Sequence, residues 1–579
     1  MKFRWTTAPS QPLLAQSLAS ALKISPLLAQ CLINRGLSEP PALEKYLAPR
    51  LKHLADPFLL PNMNAAVDRL LLAHRQNEPL VIFGDYDVDG VTSTTLLLEV
   101  LRRLGWRAEA YLPRRMDEGY GLSRDGVENC LARFPVKLLL AVDCGSTAVE
   151  TIAWLRDRAV EVIVLDHHQV SNPPPAAVAL VNPQLAATSE IANRKSQIAN
   201  FQELCSAGLA FKLAHALLKR GRETGLPGAA EFDLKPLLDL VALGTIADLV
   251  PLTGENRILV TAGLGKLNTT QRPGIVALKQ VAQSPEKLGT HDVGFQLAPR
   301  LNASGRLETA EESLHLLLAE TLDEALPLAQ NLDARNRERQ KIERGITDEV
   351  AGFIRSKFNP QTDFVIVEGQ LLWHIGVVGI VASRVLQEFY RPTIILGGDA
   401  GLWRGSGRSV AGFDLAAALR ECGDLLVKHG GHAMAAGLTI APEQVDSFRQ
   451  RMNDLARRSL KPDDLQPPLR LDAEVALREI TLDSLAELER LKPTGMGNPA
   501  LQFCARSLTH KKPLQRIGAN RQHVKLWVTD GAVTHEAVWW NAGNGSLPVG
   551  KFDLAFAPSV NEFNGRTAVQ LKVLDWRAA

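Results

Sequence analysis

The stretch VIFGDYDVDGVTS, residues 81–93, places alternating aspartates directly after a short apolar run. These aspartates are Asp85, Asp87 and Asp89. The pattern matches the first half of an EF-hand calcium loop, which also requires a bidentate Glu at its twelfth position. The twelfth residue counted from Asp85 is Leu96, and the preceding PLVIF is typical of a buried strand rather than a helix. Two interpretations remain: a solvated acidic turn, or the mouth of a metal-dependent active site.

Short apolar runs alternate with helical stretches between Pro79 and about Val181. The runs are PLVIF, AEAYL, KLLLAV, EVIVL and AVALV. Alternating strands and helices predict an α/β fold with a doubly wound parallel sheet. Such sheets bind ligands beyond the carboxyl ends of their strands.

Acidic residues and histidines recur where the predicted strands end. Asp143 follows LLLAV, and the triplet Asp166, His167 and His168 follows VIVL. Asp248 lies further on, in GTIAD. If these residues were only solvent-exposed turns, such a turn would have to occur independently at each of these places. We therefore expect the side chains to converge on one site. Oxygen ligands with one or two imidazoles suit Mn²⁺ or Mg²⁺, and a pair of ions about 3.5–4 Å apart supports in-line displacement at phosphorus.

Composition narrows the class of protein. The 579 residues predict several domains, and no apolar run approaches the roughly 18 residues of a membrane helix. The N-terminus lacks the pattern of a signal peptide, so we expect a cytoplasmic protein. The 65 basic and 63 acidic residues nearly cancel, so any phosphate-binding surface must be local. The scattered cysteines form no C-x-x-C pair, which argues against a zinc ribbon or a disulfide framework.

The remainder of the chain is predicted to form further units. Leu185–Glu203 is polar and aperiodic, as in a loop or insertion, and Ala329–Val350 has the mixed charges of a helix that connects two domains. A second α/β unit begins at DFVIVEG, and the final hundred or so residues hold short strands typical of a small β-barrel. The predicted division is an N-terminal segment 1–44, a catalytic domain 45–320, a connecting helix 321–355, a second α/β domain 356–462 and a barrel 467–579.

Basic and glycine-rich stretches supply candidate phosphate contacts. A glycine-rich turn with an arginine is usually only a turn, but several such stretches together predict loops that contact an anion near the metals. The candidates are Arg300, Asn302 and Arg306 in APRLNASGRLETA, Arg404, Ser406 and Arg408 in WRGSGRS, and His432 in HGGHAMAAG.

These motifs resemble those of the DHH phosphoesterase superfamily. DYDVDG, VDCG, DHH and GTIAD match its successive motifs, and PRLNASGRL, WHIGVVGIVASR, GSGRS and GGHAMAAG resemble its RecJ branch and the DHH-associated domain. LKPTGMGNPALQF and NEFNGRTAVQLKVLDW resemble the RecJ oligonucleotide-binding domain, and this resemblance implies that 467–579 is an OB-type β-barrel that binds nucleic acid. The chain departs from the usual pattern at Thr494, where Phe is common, and at Ala500-Leu501, where an acidic-Pro pair is common.

The resemblance implies an exonuclease specific for single-stranded DNA. It implies 5′→3′ degradation that releases 5′-mononucleotides in DNA repair and recombination, with two Mn²⁺ or Mg²⁺ ions as cofactors. The implied metal ligands are Asp87, Asp89, Asp143, His167 and Asp248, with Asp143 bridging the two ions. Asp85 and His168 join the implied catalytic set, either as further ligands or as phosphate contacts. The implied phosphate contacts are Arg300, Asn302, Arg306, Arg408 and His432.

Two other functions remain open. A small-substrate phosphoesterase of the same superfamily, an oligoribonuclease or a pyrophosphatase, is generally shorter and lacks the barrel. A non-catalytic DNA-binding scaffold should have lost metal ligands, whereas all the motif positions are present here. The expected partners are single-stranded DNA, a single-strand-binding protein and a helicase, without a membrane. In the barrel, Trp539, Trp540 and Phe563 are either base-stacking residues or core.

Overall fold

A computed structural model describes residues 3–114, 118–119, 121–188, 201–307, 309–359, 361–398, 401–543 and 546–579, with backbone alone at 186–188 and 306–307. The chain forms two compact units. The first unit comprises residues 41–337 and 491–499, and the second comprises 1–40, 338–490 and 500–579. The five-part division predicted from sequence stays a prediction.

The elements follow one another along both units. The strands are β1 (Arg4–Thr7), β2 (Leu80–Gly84), β3 (Ala108–Tyr111), β4 (Leu138–Val142), β5 (Glu161–Leu165), β6 (Ala179–Val181), β7 (Ile366–Leu371), β8 (Thr393–Gly398), β9 (Trp403–Arg408), β10 (Leu426–Gly431), β11 (Ala435–Ile440), β12 (Pro468–Leu471), β13 (Ala473–Glu474), β14 (Phe503–His510), β15 (Gln515–Ile517), β16 (His523–Thr529), β17 (Thr534–Trp539), β18 (Phe552–Phe563) and β19 (Arg566–Ala578). The helices are α1 (Pro12–Leu22), α2 (Pro26–Ile33), α3 (Pro40–Leu47), α4 (Met63–Arg75), α5 (Val88–Arg103), α6 (Arg124–Arg133), α7 (Val149–Arg156), α8 (Ser206–Thr224), α9 (Leu238–Ala247), α10 (Gly254–Thr269), α11 (Pro273–Val281), α12 (Thr290–Asp292), α13 (Ala298–Leu307), α14 (Glu311–Leu318), α15 (Leu322–Lys357), α16 (Val378–Phe389), α17 (Leu415–Glu421), α18 (Val445–Ser459) and α19 (Leu482–Leu488).

A parallel five-stranded sheet, in the order β3-β2-β4-β5-β6, forms the centre of the first unit. Alternate side chains of β2 enter different cores because successive residues of a strand point to opposite faces. Leu80 and Ile82 pack in the core that contains α5, α8 and α9, whereas Val81 and Phe83 pack in the core that contains α6 and α7. Both faces are therefore covered by helices, and the prediction of a doubly wound parallel sheet is confirmed.

A buried arginine anchors residues 491–499 within the first unit. Arg257 lies in α10 and is 2% exposed. Its guanidinium donates to the carbonyl oxygens of Leu491 (2.9 Å), Lys492 (2.8 Å) and Tyr46 (3.0 Å), and it lies 3.9 Å from the centre of the Tyr46 ring. The amide nitrogen of Leu252 also donates to the carbonyl of Met496, at 2.7 Å. Residues 491–499 are thus held beside the segment that follows Asp248.

The second unit contains a mixed sheet and a barrel. The mixed sheet has the order β10-β11-β9-β8-β7, and only β7 and β8 pair in parallel. The barrel sheet runs β13-β14-β18-β19-β17-β16-β15, and an additional pairing of β14 with β16 closes a ring. The predictions of a second α/β domain and an OB-type barrel are confirmed.

The N-terminal residues of the second unit pack on its C-terminal part. Strand β1 pairs in parallel with β12, and the amide nitrogen of Ser25 donates to Glu487 at 2.8 Å. Arg35 forms an ion pair with Asp472 at 3.1 Å. This attachment joins residues that are distant in the chain, and the sequence pattern alone did not predict it.

Two further predictions concern connecting segments. The connecting helix predicted at 321–355 is α15, a helix of 36 residues. Of the predicted insertion Leu185–Glu203, the first residues belong to a 3₁₀ helix, Pro183–Thr188, and residues 189–200 lie outside the described residues. Among the described helices, none has the length and apolar character needed to span a bilayer.

Candidate metal centre and phosphate-binding face

The carboxyl ends of β2, β4 and β5 bring the predicted acidic residues of the first unit together. Because these strands are adjacent and parallel, the loops that follow them open at the same edge of the sheet. Three groups of side chains result, each with ligand atoms within 4.8 Å of one another. The groups are Asp85, Asp87 and Asp143; Asp143, His167 and His168; and Asp89, Cys205 and Asp248. Asp143 belongs to two of the groups.

His167 lies among the carboxylates of all three groups. Its Nε2 is 3.4 Å from Asp143 Oδ1, 3.6 Å from Asp248 Oδ2 and 3.9 Å from Asp89 Oδ2. Burial, with the charge of His168, lowers the pKa of His167 to about 4. The ring is therefore neutral near pH 7 and keeps a lone pair that can bind a cation.

The donor set fits a pair of hard divalent cations. His167 Nε2 and Asp248 Oδ2 are buried, and neither makes a hydrogen bond within the described parts of the chain. Buried polar atoms without partners are costly, so their presence beside several carboxylates indicates a ligand. Carboxylate oxygens with imidazole nitrogen suit Mn²⁺ or Mg²⁺. The thiol of Cys205 is the one soft donor in these groups, and burial raises its pKa well above the usual value, so it stays protonated.

Backbone conformation directs Asp143 towards this cluster. Asp143 has a φ of 63°, in the left-handed region that Asp and Asn tolerate better than most residues. It follows β4 directly and is 1% exposed. The chain therefore turns sharply at the residue shared by two of the ligand groups.

Asp89 caps a helix as well as facing the cluster. Its carboxylate accepts the amide hydrogens of Ser206 at 2.7 Å and Ala207 at 2.8 Å, the first residues of α8. Cys205 occupies the N-cap position but makes no capping bond with its side chain, so Asp89 satisfies those amides instead. The sequence predicted Asp89 only as a metal ligand and missed Ser206, whose Oγ donates to Asp143 Oδ1 at 2.9 Å. The one local signal is CSAG at the start of a long apolar helix.

Asp166, the first residue of the DHH triplet, orients the loop and belongs to none of the three ligand groups. Its carboxylate accepts the amide hydrogens of His167 (2.8 Å) and Ser146 (3.0 Å) and lies 2.7 Å from His168 Nδ1. Burial alone would raise the pKa of Asp166, but the hydrogen bonds from His168 and Ser146, together with the charges of His168 and His167, lower it to about 2. Burial would likewise lower the pKa of His168, yet Asp166 raises it to about 9. The pair fixes the orientation of the His168 ring.

Crowding shifts the carboxylates of the cluster towards their protonated forms. Burial is the largest cause, and neighbouring aspartates add to it. The pKa of Asp89 rises to about 7, that of Asp248 to about 9, and that of Asp143 rises well above its usual value. Divalent cations bind the ionised forms, so they compete with these protons.

This competition predicts a pH-dependent stabilisation by metal. Because the folded-state pKa values are raised, these groups lower the stability of the metal-free protein as pH rises from about 4 to about 9. A bound cation removes that penalty, so we expect Mg²⁺ to raise the Tm more at about pH 8 than at about pH 6. Thermal unfolding with and without Mg²⁺ at both pH values measures this. Asp143→Asn should lose most of the difference, and an equal Tm shift at both pH values in the wild type would contradict the prediction.

Two predicted phosphate contacts of the first unit make internal contacts, and their binding of phosphate stays a prediction. Asn302 Oδ1 accepts the amide hydrogen of Val88 at 3.1 Å, at the start of α5. Arg300 pairs with Asp333 at 2.9 Å. The side chain of Arg306, the third candidate, lies outside the described residues. Asn302 therefore supports the loop that carries the aspartates.

The remaining candidates lie together in the second unit. Arg404, Ser406 and Arg408 occupy alternate positions of β9, so their side chains share one face of the strand. Arg408 donates to Ser406 Oγ at 2.9 Å. The pairing of β9 with β11 sets Ala435 opposite Arg408, so the turn that contains His432 lies at the Arg408 end. We call Arg404, Ser406, Arg408 and His432 the β9 face.

Comparison with known proteins identifies the family. Family models match residues 79–245 (DHH family, N-terminal domain), 362–458 (DHHA1 domain) and 471–575 (RecJ OB domain). A single-stranded-DNA-specific exonuclease RecJ from Bacillus subtilis (strain 168) is 37% identical over 580 residues, which cover 99% of this chain and 71% of the relative. The chain belongs to the RecJ family. A RecJ from Dickeya dadantii (strain 3937) is also 37% identical, with 94% of this chain and 95% of that protein covered.

The fold of the chain is that of solved RecJ structures. A crystal structure of RecJ in complex with Mn²⁺ from Thermus thermophilus gives a TM-score of 0.83 at 30% identity and covers 100% of this chain and 80% of that one. The same RecJ in complex with Mg²⁺ gives a TM-score of 0.78 at 28% identity, with 100% and 78% covered. The match spans the whole chain, as expected for a member of the family.

Proposed function

We propose that this chain is a metal-dependent exonuclease that degrades single-stranded DNA in the 5′→3′ direction and releases 5′-mononucleotides. The observation that carries the proposal is the convergence of Asp143, His167 and Asp248 with three further aspartates, Asp85, Asp87 and Asp89, at one edge of the sheet. Full-length identity to RecJ exonucleases supports the choice of substrate. A DNA-binding protein that has lost its nuclease activity would have no need for these metal-ligating side chains.

The chain's own residues hold the reacting groups in place. The proposed cation ligands are Asp87, Asp89, Asp143, His167 and Asp248, with Asp85 as a further ligand and Asp143 shared. Two bound Mn²⁺ or Mg²⁺ ions would supply a hydroxide near neutral pH and stabilise the charge that develops at phosphorus. Asp166 orients the His168 ring through Nδ1 and, in the metal-free protein, raises its pKa, so an imidazolium beside the cluster would donate a hydrogen bond to a phosphate oxygen.

The β9 face is proposed to bind backbone phosphates of the substrate. Arg408 is half-buried, burial lowers its pKa, and it forms no ion pair with any carboxylate of the described residues. A guanidinium stays charged in proteins, and a half-buried charge without a counterion favours an anionic ligand. Phosphate oxygens match its planar donors.

Replacement of Arg408 tests this role. We expect Arg408→Ala to raise the KM for single-stranded DNA by about tenfold, since a charge-assisted hydrogen bond contributes about 1.5–3 kcal/mol. The matched control is Arg420→Ala, at an exposed position in α17 of the same unit, which should leave KM unchanged. Steady-state rates at several salt concentrations measure both variants. Equal KM values for Arg408→Ala and the wild type would contradict the proposed role of the β9 face in binding phosphate.

The barrel offers aromatic surface suited to unpaired bases. Trp540 is 48% exposed and Phe563 is 69% exposed, whereas Trp539 is partly buried. Trp527, which the sequence patterns did not single out, has Lys512 Nζ at 4.7 Å and Lys525 Nζ at 5.8 Å from its ring centre. Aromatic faces beside basic residues bind single strands through stacking and phosphate contacts. We assign this role to Trp527, Trp540 and Phe563.

Digestion of end-labelled DNA tests the proposed function. Single strands labelled at the 5′ or the 3′ end are incubated with Mn²⁺ or Mg²⁺, beside duplex DNA, dinucleotides and pyrophosphate. We expect labelled mononucleotide to appear first from the 5′-labelled strand, with no product when the metal is chelated. Hydrolysis of dinucleotides or pyrophosphate alone would favour a small-substrate phosphoesterase. A cytoplasmic location, and a single-strand-binding protein and a helicase as partners, remain predictions that accompany this function.

A further inference from the structure

Ser206 makes contact with carboxylates from two separate parts of the metal centre. Its Oγ donates to Asp143 Oδ1 at 2.9 Å, and its amide nitrogen donates to Asp89 Oδ2 at 2.7 Å. Asp143 follows a strand of the sheet, whereas Asp89 lies in the first turn of α5. The side chain of Ser206 is fully buried, so water does not compete for these bonds.

We propose that Ser206 is a positioning residue of the metal centre, which fixes the orientation of the Asp143 carboxylate for cation binding. The proposal rests on the proposed function, in which Asp143 is the shared ligand. Asp143 lies on a left-handed turn, and a carboxylate with a free side-chain torsion would sample several orientations there. A hydrogen bond to Oδ1 restricts that torsion and leaves the remaining lone pairs of the carboxylate to the cations. Partners of this kind orient metal ligands in many proteins.

The donor itself is held rigidly by helix packing. Ser206 is the first residue of α8, a helix of 19 residues that packs against α5 and α9. Gly244 of α9 permits the close approach, because a Cβ there would lie 2.7 Å from Ala207 Cβ and 3.0 Å from Asp89 Oδ1. The start of α8 therefore cannot shift without disturbing Asp89, and the Ser206 hydroxyl keeps its place relative to Asp143.

Removal of the hydroxyl alone tests the proposal. Ser206→Ala keeps the amide bond to Asp89 and suits a helix start, so the variant should fold. We expect its dissociation constant for Mn²⁺, measured by calorimetry on the DNA-free protein, to rise by about 10–100-fold. The KM for single-stranded DNA should not change, and the rate at limiting Mn²⁺ should fall by a similar factor. Ser206→Thr restores a hydroxyl and should recover most of the Mn²⁺ affinity.

A matched control separates positioning from general packing. Ser313 is another buried serine of the first unit, and its Oγ donates to the carbonyl of Leu301 at 2.9 Å. Ser313→Ala should lower Tm by an amount similar to Ser206→Ala but leave Mn²⁺ affinity unchanged. Wild-type Mn²⁺ affinity in Ser206→Ala would overturn the positioning role while the proposed function stands. Absence of Mn²⁺ binding in the wild type would overturn the proposed function, and this inference with it.

Discussion

Asp143→Ala should abolish cleavage of single-stranded DNA while DNA binding stays nearly unchanged. Asp143 is the one side chain shared by two ligand groups, and its Oδ1 is 3.4 Å from His167 Nε2. Loss of a shared ligand removes several kcal/mol of transition-state stabilisation, so we expect the cleavage rate to fall by about 10³-fold or more. Gel-shift titration and single-turnover digestion of the same preparation measure the two properties separately.

Two further variants control this experiment. Asp143→Asn keeps a residue that tolerates the left-handed conformation, so it removes the charge with little backbone strain. Asp157→Ala replaces an exposed aspartate at the end of α7 and should cleave at the wild-type rate. Cleavage at the wild-type rate by Asp143→Ala would exclude the proposed mechanism.

Arg257→Met should markedly lower the stability of the protein, although Arg257 lies outside the metal centre. The guanidinium satisfies the carbonyl oxygens of Tyr46, Leu491 and Lys492, and methionine can donate to none of them. A buried carbonyl without a donor costs about 1–3 kcal/mol, and since the bond to Leu491 is buried and those to Tyr46 and Lys492 are partly buried, the free energy of unfolding should fall by about 3 kcal/mol. Thermal unfolding followed by fluorescence should show a Tm lower by about 5 °C.

An exposed arginine provides the comparison. Arg103→Met, at the end of α5, removes the same charge from the surface and should change the free energy of unfolding by less than about 0.5 kcal/mol. If Arg257→Met unfolds at the same temperature as Arg103→Met, residues 491–499 are not anchored by the arginine. Limited proteolysis near Met496 would report the release of that segment directly.

The sequence predicted the parallel sheet and the convergence of its acidic residues because both follow from local patterns and from the geometry of parallel strands. Apolar runs mark the strands, and parallel connections require the residues after each strand to meet at one edge. Asp85, Asp143 and His167 were predicted to converge on that basis, and the structure places them there. Their assignment as ligands remains a proposal, which metal-bound coordinates of this chain would test.

Local sequence patterns could not predict the roles of residues whose hydrogen-bond partner lies far along the chain. Ser206 and Asp143 are 63 positions apart, and no periodicity connects them. The amide oxygen of Asn302 accepts from Val88, 214 positions away, and no pattern predicted that bond, while the phosphate contact predicted for Asn302 stays a prediction. Asp166 was counted among the cluster's aspartates, yet its oxygens accept from nearby amides and His168. Side-chain chemistry shows what a residue can bind, whereas the partner depends on tertiary packing.

The central claim is that one edge of the parallel sheet holds a pair of divalent cations. Crystals of the protein grown with Mn²⁺ and measured at the manganese absorption edge test it most directly. We expect two anomalous peaks within coordination distance of Asp143, one also near Asp87 and the other also near His167 and Asp248. An anomalous map with no peak at this edge, from crystals that contain Mn²⁺ at saturating concentration, would contradict the account.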